Sequence, residues 1–410
     1  MARRLALRGP IRRRLTIMLT PETLPDLQRA LAEADLDGWL LFDFHGANPI
    51  AGGLLRLTGL VSRRVFALIP REGTPVAITH AIEQGPWAQW PKQWKREVYA
   101  SWRSLDEHLA TLVKGKRVAM EYSPGDAVPY LDRVPAGVLE MVRAAGAEVV
   151  SSAPLVTRFY AAWNAQHVAS HERSAKLIAG IAQDGMKLAG QRARTPSPMT
   201  EYELMQWILA RFKDAGVETD HGPNASVGAN AANPHYEPTA ASSKPIREGD
   251  VLLVDLWAHE PDGGVWADQT WMATVGAPSA RAQSVWVAVR DARDAAIALV
   301  QSRVAAGQPI LGAEVDDAAR AVITSAGFGQ YFTHRTGHSI DPRELHGSGP
   351  NMDNLETHED RQLLPGVAFS IEPGIYVPGE IGVRSEVNVY LQAGRAVVTP
   401  SELQREMLVV

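Results

Sequence analysis

A chain of 410 residues is long for a single hydrophobic core, so two domains are expected. With 45% hydrophobic and 21% charged residues and a net charge of −5, the composition is globular, with no basic surplus for nucleic acid. The cysteine count of zero excludes disulfides and thiolate metal sites and fits a reducing compartment, so the expected location is the cytoplasm.

The chain opens on Arg3, Arg4, Arg8, Arg12, Arg13 and Arg14 with no acid among them. A secretory signal would follow with an apolar run of roughly 7–15 residues. Here Leu15-Thr16-Ile17-Met18-Leu19 stops at Thr20-Pro21-Glu22. Residues 1–19 therefore read as a disordered arginine-rich tail, with Met18 a candidate true start. No other stretch approaches the roughly 20 apolar residues of a membrane span, so no membrane partner is expected.

From Thr20, Leu24, Leu27 and Leu31 recur at helical spacing. Gly38 to Phe42 reads as a buried strand. Arg64 to Ile69 reads as a second, ending in the turn Pro70-Arg71-Glu72-Gly73, and Pro75 to Ile78 as a third. Val118-Ala119-Met120 is a further strand candidate, and Val138 to Ala144 a helix leading to Glu148-Val149-Val150. This alternation over residues 20–160 suggests an α/β domain, without a phosphate loop or dinucleotide fingerprint. Residues 158–195 carry a long helical register through Ala169, Ala175, Ile178, Ile181 and Met186, which Pro196 and Pro198 stop. The domain boundary is placed near residue 160, with a second domain over 161–410. Thr200-Glu201-Tyr202-Glu203 starts another helix, and two more are read at about 284–305 and 314–326.

The second domain holds polar residues where ordinary folding avoids them. Val251-Leu252-Leu253-Val254-Asp255 is an apolar strand ending in a carboxylate. Val265 to Trp271 carries Asp268, with Pro261-Asp262-Gly263-Gly264 as the hairpin turn between. Thr336-Gly337-His338-Ser339-Ile340 presents an imidazole. The stretch Gly366 to Tyr390 reads as two strands, one carrying Glu372 and one Glu386, with Arg384 on the same face as Glu386. Taken singly, a strand carboxylate is usually a salt-bridge partner and a histidine beside glycine a loop residue. Together, four carboxylates on apolar strands would be prohibitive without cations. Two divalent ions, one hydroxide and Arg384 balance the charge. Oxygen-rich donors with one nitrogen suit Mn²⁺, Co²⁺ or Zn²⁺.

In order, Asp255, Asp268, His338, Glu372 and Glu386 resemble the five metal ligands of the pita-bread metallopeptidases. That family includes the methionine and Xaa-Pro aminopeptidases and the prolidases (Xaa-Pro dipeptidases). Asp37-Gly38-Trp39-Leu40-Leu41 and Arg63-Arg64-Val65-Phe66 are similar to the N-terminal domain of the creatinase/prolidase branch. The resemblance therefore implies an α/β creatinase-like N-terminal domain and an α+β pita-bread catalytic domain. It implies cleavage of Xaa-Pro bonds, preferentially in dipeptides, with two divalent ions, Mn²⁺ first. Small proline-containing peptides are the expected substrates and a homodimer the expected assembly.

By the same resemblance, Asp255 holds one metal and His338 with Glu372 the other, while Asp268 and Glu386 bridge the pair. Glu372 would take the proton of a metal-bridging water and pass it to the leaving proline nitrogen. The segment Gly228 to Tyr236 is similar to the family's substrate-histidine segment. His235 and His346 would then polarise the scissile carbonyl and stabilise developing charge. Arg384 would orient Glu386. Many prolidases carry an arginine that pairs with the substrate carboxylate near Leu355 to Arg361. Here His358 stands at that position with Arg361 nearby, which implies a weaker, pH-dependent recognition of that carboxylate. His221, His334 and His358 read otherwise as polar surface, and Trp257, Trp266 and Trp271 as core or site wall.

Three rivals remain. An Xaa-Pro aminopeptidase for longer peptides differs in how the site is closed beyond the proline. A metal-free amidinohydrolase on this fold would have lost ligands that are intact here, as would a non-catalytic binding protein. For the last, stoichiometric metal without hydrolysis is the discriminating observation.

Overall fold

A computed structural model describes residues 18–410. The arginine-rich stretch falls outside the described residues, except that Leu19, assigned to the tail, is buried and donates its N–H to the Leu54 carbonyl at 2.9 Å. Described residues form two compact units, one ending at Tyr160 and the other beginning at Ala161. Among them no helix is long and apolar enough to cross a membrane.

The N-terminal unit runs α1 (Leu24–Glu33), β1 (Gly38–Asp43), α2 (Pro49–Leu55), β2 (Val65–Pro70), β3 (Val76–His80), β4 (Lys95–Tyr99), α3 (Trp102–Val113), β5 (Arg117–Met120), α4 (Ala136–Ala144), β6 (Glu148–Ser151) and α5 (Ala153–Phe159). Its six strands form one mixed sheet in the order β4-β3-β2-β1-β5-β6. Both faces of β1 are buried, which explains its unbroken apolar run. Trp39 and Leu41 join a core with Leu27, Leu31 and Ile50, while Leu40 and Phe42 join another with Phe66, Leu68 and Leu109. The strand β4 and the helices α2, α3 and α5 were not read from the sequence.

The second unit begins with α6 (Ala165–Ala193) and α7 (Glu201–Ala215). The long register expected from residue 158 is thus divided. Asn164 caps α6 by accepting the N–H groups of Gln166 and His167 at 2.8 and 2.9 Å. Thr200 and Glu203 form a reciprocal capping box on α7, and Gly216, at φ 72°, ends it. Then follow β7 (Asn224–Val227), β8 (Val251–Ala258), β9 (Ala267–Thr274), α8 (Ala280–Ala305) and α9 (Gly312–Ser325). The chain closes with β10 (Ala368–Ile371), β11 (Gly374–Val377), β12 (Ile381–Arg384), β13 (Val387–Gln392), β14 (Arg395–Thr399) and β15 (Leu408–Val409).

Strands β8 and β9 form an antiparallel hairpin within a sheet ordered β15-β9-β8-β7. Leu252, Val254, Leu256, Trp271 and Ala273 pack on the α6/α7 residues Ile178, Met186, Leu204 and Phe212. Alternation leaves Asp255, Trp257, Asp268 and Thr270 together on the opposite face. The pairing confirms this, with Asp255 opposite Thr270 and Trp257 opposite Asp268. On the β10–β13 ribbon, Phe369, Ile371, Ile375, Val383, Val387 and Val389 pack with Trp286 and Val289 of α8 and Val315 of α9. Ser370, Glu372, Tyr376, Arg384, Glu386 and Asn388 take the other face. The two polar faces meet between the helical layers, and the site lies there.

Where two continuous strands were expected, the ribbon is four short ones. Pairing of β10 with β13 ends at Ile371 opposite Val387, and pairing of β11 with β12 begins at Gly374 opposite Arg384. Both pairings keep one register, which sets Glu372 across from Glu386 and Pro373 across from Ser385. Pro373 has no N–H to give the ladder, so the strand breaks beside it. Both carboxylates therefore sit at the breaks rather than inside strands.

Candidate active site

The cavity in the second unit is lined by Asp255, Asp268, His338, Glu372 and Glu386, together with His235, His346, Trp257 and Arg384. Carboxylates directly opposite one another on one face, as Glu372 and Glu386 are, repel unless a cation lies between them. The hairpin and the ribbon are joined through Thr270. Its hydroxyl contacts Asp255 Oδ1 at 3.0 Å and Glu386 Oε2 at 2.9 Å, and it accepts Arg384 Nε at 2.8 Å. Arg384 Nη2 lies 2.5 Å from Asp255 Oδ2. Its direct partner is Asp255, and it reaches Glu386 through Thr270.

The His338 segment lies along the edge of β10. Ser370 N–H donates to the His338 carbonyl at 2.8 Å, and Glu372 N–H to the Thr336 carbonyl at 2.7 Å. Gly337 is required for this approach, because a Cβ there would fall 2.0 Å from the Ser370 carbonyl oxygen. On the other side, Asp316 of α9 anchors the segment by accepting Thr336 N–H at 2.9 Å and its hydroxyl at 2.6 Å. The Ser370 hydroxyl accepts His338 N–H and donates to Glu372 Oε1, both at 2.9 Å.

His338 Nδ1 lies 3.2 Å from the Ser339 carbonyl. A carbonyl only accepts, so the proton sits on Nδ1 and the Nε2 lone pair faces the site. That lone pair is 3.3 Å from Asp268 Oδ2 and 3.5 Å from Glu372 Oε1. Ligand atoms of Asp268, His338 and Glu386 all lie within 4.8 Å of one another, a spacing that fits one metal ion.

The electrostatics fit as well. Burial and the Glu372 charge push Asp268 up to about 8, and burial with Arg384 opposing it brings Asp255 to about 6. Burial and the neighbouring carboxylates raise Glu386 well above its ordinary value, and its Oε1 is buried without a hydrogen-bond partner. At Glu372 burial acts upward, but His338, Arg384 and His334 outweigh it and hold the carboxyl below its ordinary value. Two carboxyls raised by burial and by one another, one orphaned oxygen and one inward lone pair form a donor set that a bound cation would complete.

His346 stacks edge-on against His338, ring centres 4.2 Å apart, and the His338 charge and burial lower it to about 3. It is therefore a neutral hydrogen-bonding group. His235 also lines the cavity, and its backbone N–H is fixed by Asn233 Oδ1 at 3.2 Å. The other two substrate-binding expectations are corrected. The Arg361 guanidinium is buried against Glu359 at 2.5 Å and donates to the Ser348 and Gly349 carbonyls, both at 2.7 Å. His358 is exposed and pairs with Asn354 at 2.8 Å. Neither lines the cavity.

Two histidines read as surface belong to the site. His334 Nε2 meets the Tyr376 hydroxyl at 2.9 Å, and that hydroxyl accepts Arg384 Nη1 at 3.3 Å. His221 lines the cavity wall. Thr270 was missed although its spacing from Asp268 puts both on one strand face.

The helices backing two facing polar sheet surfaces, with a five-donor cluster between, define a metal-dependent hydrolase-type site. The profile of metallopeptidase family M24 matches residues 173–393, and the chain belongs to that family. It is 38% identical over 160 residues to the Xaa-Pro dipeptidase of Lactobacillus helveticus, covering 39% of each chain. To the probable dipeptidase PepE of Mycobacterium tuberculosis it is 30% identical over 244 residues, 57% of this chain and 59% of the other. The matched stretches thus span from about two-fifths to three-fifths of these relatives' lengths. Among solved structures, dipeptidase PepE from Mycobacterium ulcerans superposes with a TM-score of 0.71 at 22% identity, covering 95% of this chain and 97% of the other. The Xaa-Pro dipeptidase from Bacillus anthracis gives 0.62 at 21%, covering 95% and 99%. The fold is the pita-bread fold with its N-terminal α/β unit.

Proposed function

We propose that this chain is a dinuclear-metal-dependent peptidase that hydrolyses Xaa-Pro bonds, preferentially in dipeptides. The observation that carries the reading is the meeting of Asp255, Asp268, Glu372 and Glu386 from two facing sheet surfaces with His338 from the segment along β10. The names of the M24 relatives support the substrate class. Two divalent cations held by these five residues, Mn²⁺ as first choice, would supply Lewis acidity and lower the pKa of the attacking water.

The chain's own residues do the rest. Glu372, held below its ordinary pKa, accepts the proton of the attacking water and returns it to the proline nitrogen as the C–N bond breaks. A tertiary amide offers no N–H, so recognition falls on its carbonyl, and His235 and His346, which line the cavity, would hydrogen-bond it. Arg384 fixes the Asp255 carboxylate and, through Thr270, Glu386.

A second reading, an Xaa-Pro aminopeptidase for longer peptides, is favoured by one observation. Among the described residues lining the cavity, Arg384 is the one lysine or arginine, and its charge is paired with Asp255. No free cation waits there for a dipeptide's carboxylate. Hydrolysis of Ala-Pro beside Ala-Pro-Ala by chelated, then Mn²⁺-reconstituted protein separates the readings, with Glu372→Ala lowering kcat by about a thousandfold. Cleavage of the dipeptide alone supports the first reading and comparable cleavage of the tripeptide the second. Cleavage of neither with metal bound overturns both. A homodimer and a cytoplasmic location complete the proposal. Sedimentation of a fully active monomer would exclude the homodimer.

A further inference from the structure

On the β8 side, just behind the cavity lining, stands an acid that the metal cluster does not use: Asp220, in contact with Trp257 and His221, which do line the cavity. Trp257 stands two positions beyond Asp255 on the same strand face and directly opposite Asp268. Its indole N–H donates to Asp220 Oδ1 at 2.6 Å, so the indole spans the distance from the ligand-bearing strands to that carboxylate. His221 Nδ1 approaches the same Oδ1 at 3.3 Å, and Oδ2 takes neither bond. Both side chains are accessible, Asp220 at 50% and His221 at 68%. Burial works against ionisation of Asp220. The Trp257 and His221 hydrogen bonds and the neighbouring imidazole outweigh it, holding the carboxyl below its ordinary value. The charge is felt inward, where it acts to raise both Asp268 and His346.

Another carboxylate, Glu237, does line the cavity and is exposed, with no ion pair among the described residues. Against these two acids the cavity lining offers no unpaired lysine or arginine, and Arg335, near enough to lower His346, does not line it. An indole flanked by carboxylates suits a cation on an apolar stem, the acids and the ring face attracting the charge while the ring packs on the stem.

We propose that Asp220, Trp257, His221 and Glu237 form a subsite for a basic Xaa side chain, so that Lys-Pro and Arg-Pro are preferred substrates. The inference rests on the Xaa-Pro reading above. Asp220 is an indole's length outside the strand face that carries the metal ligands. A group on the reacting residue's own Cα does not extend that far, whereas a lysine or arginine stem does.

The test compares kcat/KM for Lys-Pro, Arg-Pro, Met-Pro and Glu-Pro in Mn²⁺-loaded wild type, Asp220→Asn and Asp220→Lys. Asparagine keeps an acceptor for the Trp257 N–H, and its side chain is half exposed, so folding is retained. Wild type is expected to favour Lys-Pro and Arg-Pro over Met-Pro by about fivefold, the scale of one partly exposed ion pair. In Asp220→Asn that ratio falls to about one, and Asp220→Lys turns the preference toward Glu-Pro. Equal rates on all four peptides in wild type overturn the subsite and leave the peptidase reading intact. An equal loss on every peptide in Asp220→Asn assigns the acid to the α-ammonium group and overturns the side-chain subsite. Hydrolysis of none removes the Xaa-Pro reading and the subsite with it.

Discussion

Arg384 is the fixed positive charge among four acidic side chains, and its guanidinium is shared between Asp255, Thr270 and Tyr376. Replacing it with methionine leaves Asp255 free to turn and take a proton. Arg384→Met is expected to weaken metal affinity or turnover 10- to 100-fold, roughly the cost of losing a group that orients a ligand, and calorimetric titration with Mn²⁺ measures it. A second residue governs stability away from the site. His171 is fully buried, with Nδ1 2.7 Å from the Trp266 carbonyl and Nε2 2.6 Å from the Thr399 hydroxyl. Nδ1 therefore carries the proton and Nε2 accepts from Thr399. Burial lowers this imidazole to about 4. The unfolded chain binds the proton first, so the stability held above the ordinary pKa of 6.5 is lost progressively as pH falls from there toward 4. Urea unfolding at pH 7 and pH 5 is expected to differ by about 2 kcal/mol from this residue, and His171→Gln removes that share of the slope. The five ligand candidates were legible because each is a charged or imidazole side chain in an apolar setting. Arg361 misled because sequence places it near a functional position without showing that Glu359 occupies its guanidinium. His221 and His334 were not legible, because nothing in their neighbours indicates which sheet surface they meet.

Among the elements, the ribbon from Ala368 to Gln392 shows what a two-residue period conveys and what it omits. Alternation assigns the valines to one face and Glu372, Arg384 and Glu386 to the other, and the strands obey it. It does not show that pairing lapses at Glu372 and Glu386, because that depends on the proline opposite Ser385 and on the contacts made by both segments. Ser385 N–H does reach the Pro373 carbonyl at 3.3 Å, so the gap stays closed enough to keep one register. The longer helices were legible from their caps and spacing, whereas β4 alternates weakly and is largely exposed at the sheet edge. The edge contact of the His338 segment gives a further expectation. Gly337→Ala must displace the Ser370 backbone, whose side chain links His338 to Glu372. A loss of about 3 kcal/mol is expected in thermal or urea unfolding, together with weaker Mn²⁺ binding.

For the molecule as a whole, the buried carboxylates make metal content and stability one quantity. Asp268 at about 8 retains its proton at pH 7, burial and the neighbouring carboxylates raise Glu386 as well, and a divalent cation works against both. Metal binding is expected to release about one proton at pH 7 from Asp268, so affinity rises with pH. Calorimetry in buffers of differing ionisation enthalpy reads the number directly, and no dependence on buffer would contradict it. Chelation is correspondingly expected to lower the unfolding temperature, with the midpoint following free Mn²⁺ concentration. The division of the ligands between a hairpin early in the second unit and a ribbon far downstream also bears on how the protein is made. Asp255 and Asp268 leave the ribosome long before Glu372 and Glu386, the carboxylates that face them across the site. The donor set cannot be complete until synthesis has passed Glu386, so loading of the finished site waits for the ribbon. Until then the early aspartates are two acids on an unfinished sheet, open to any cation the cell presents.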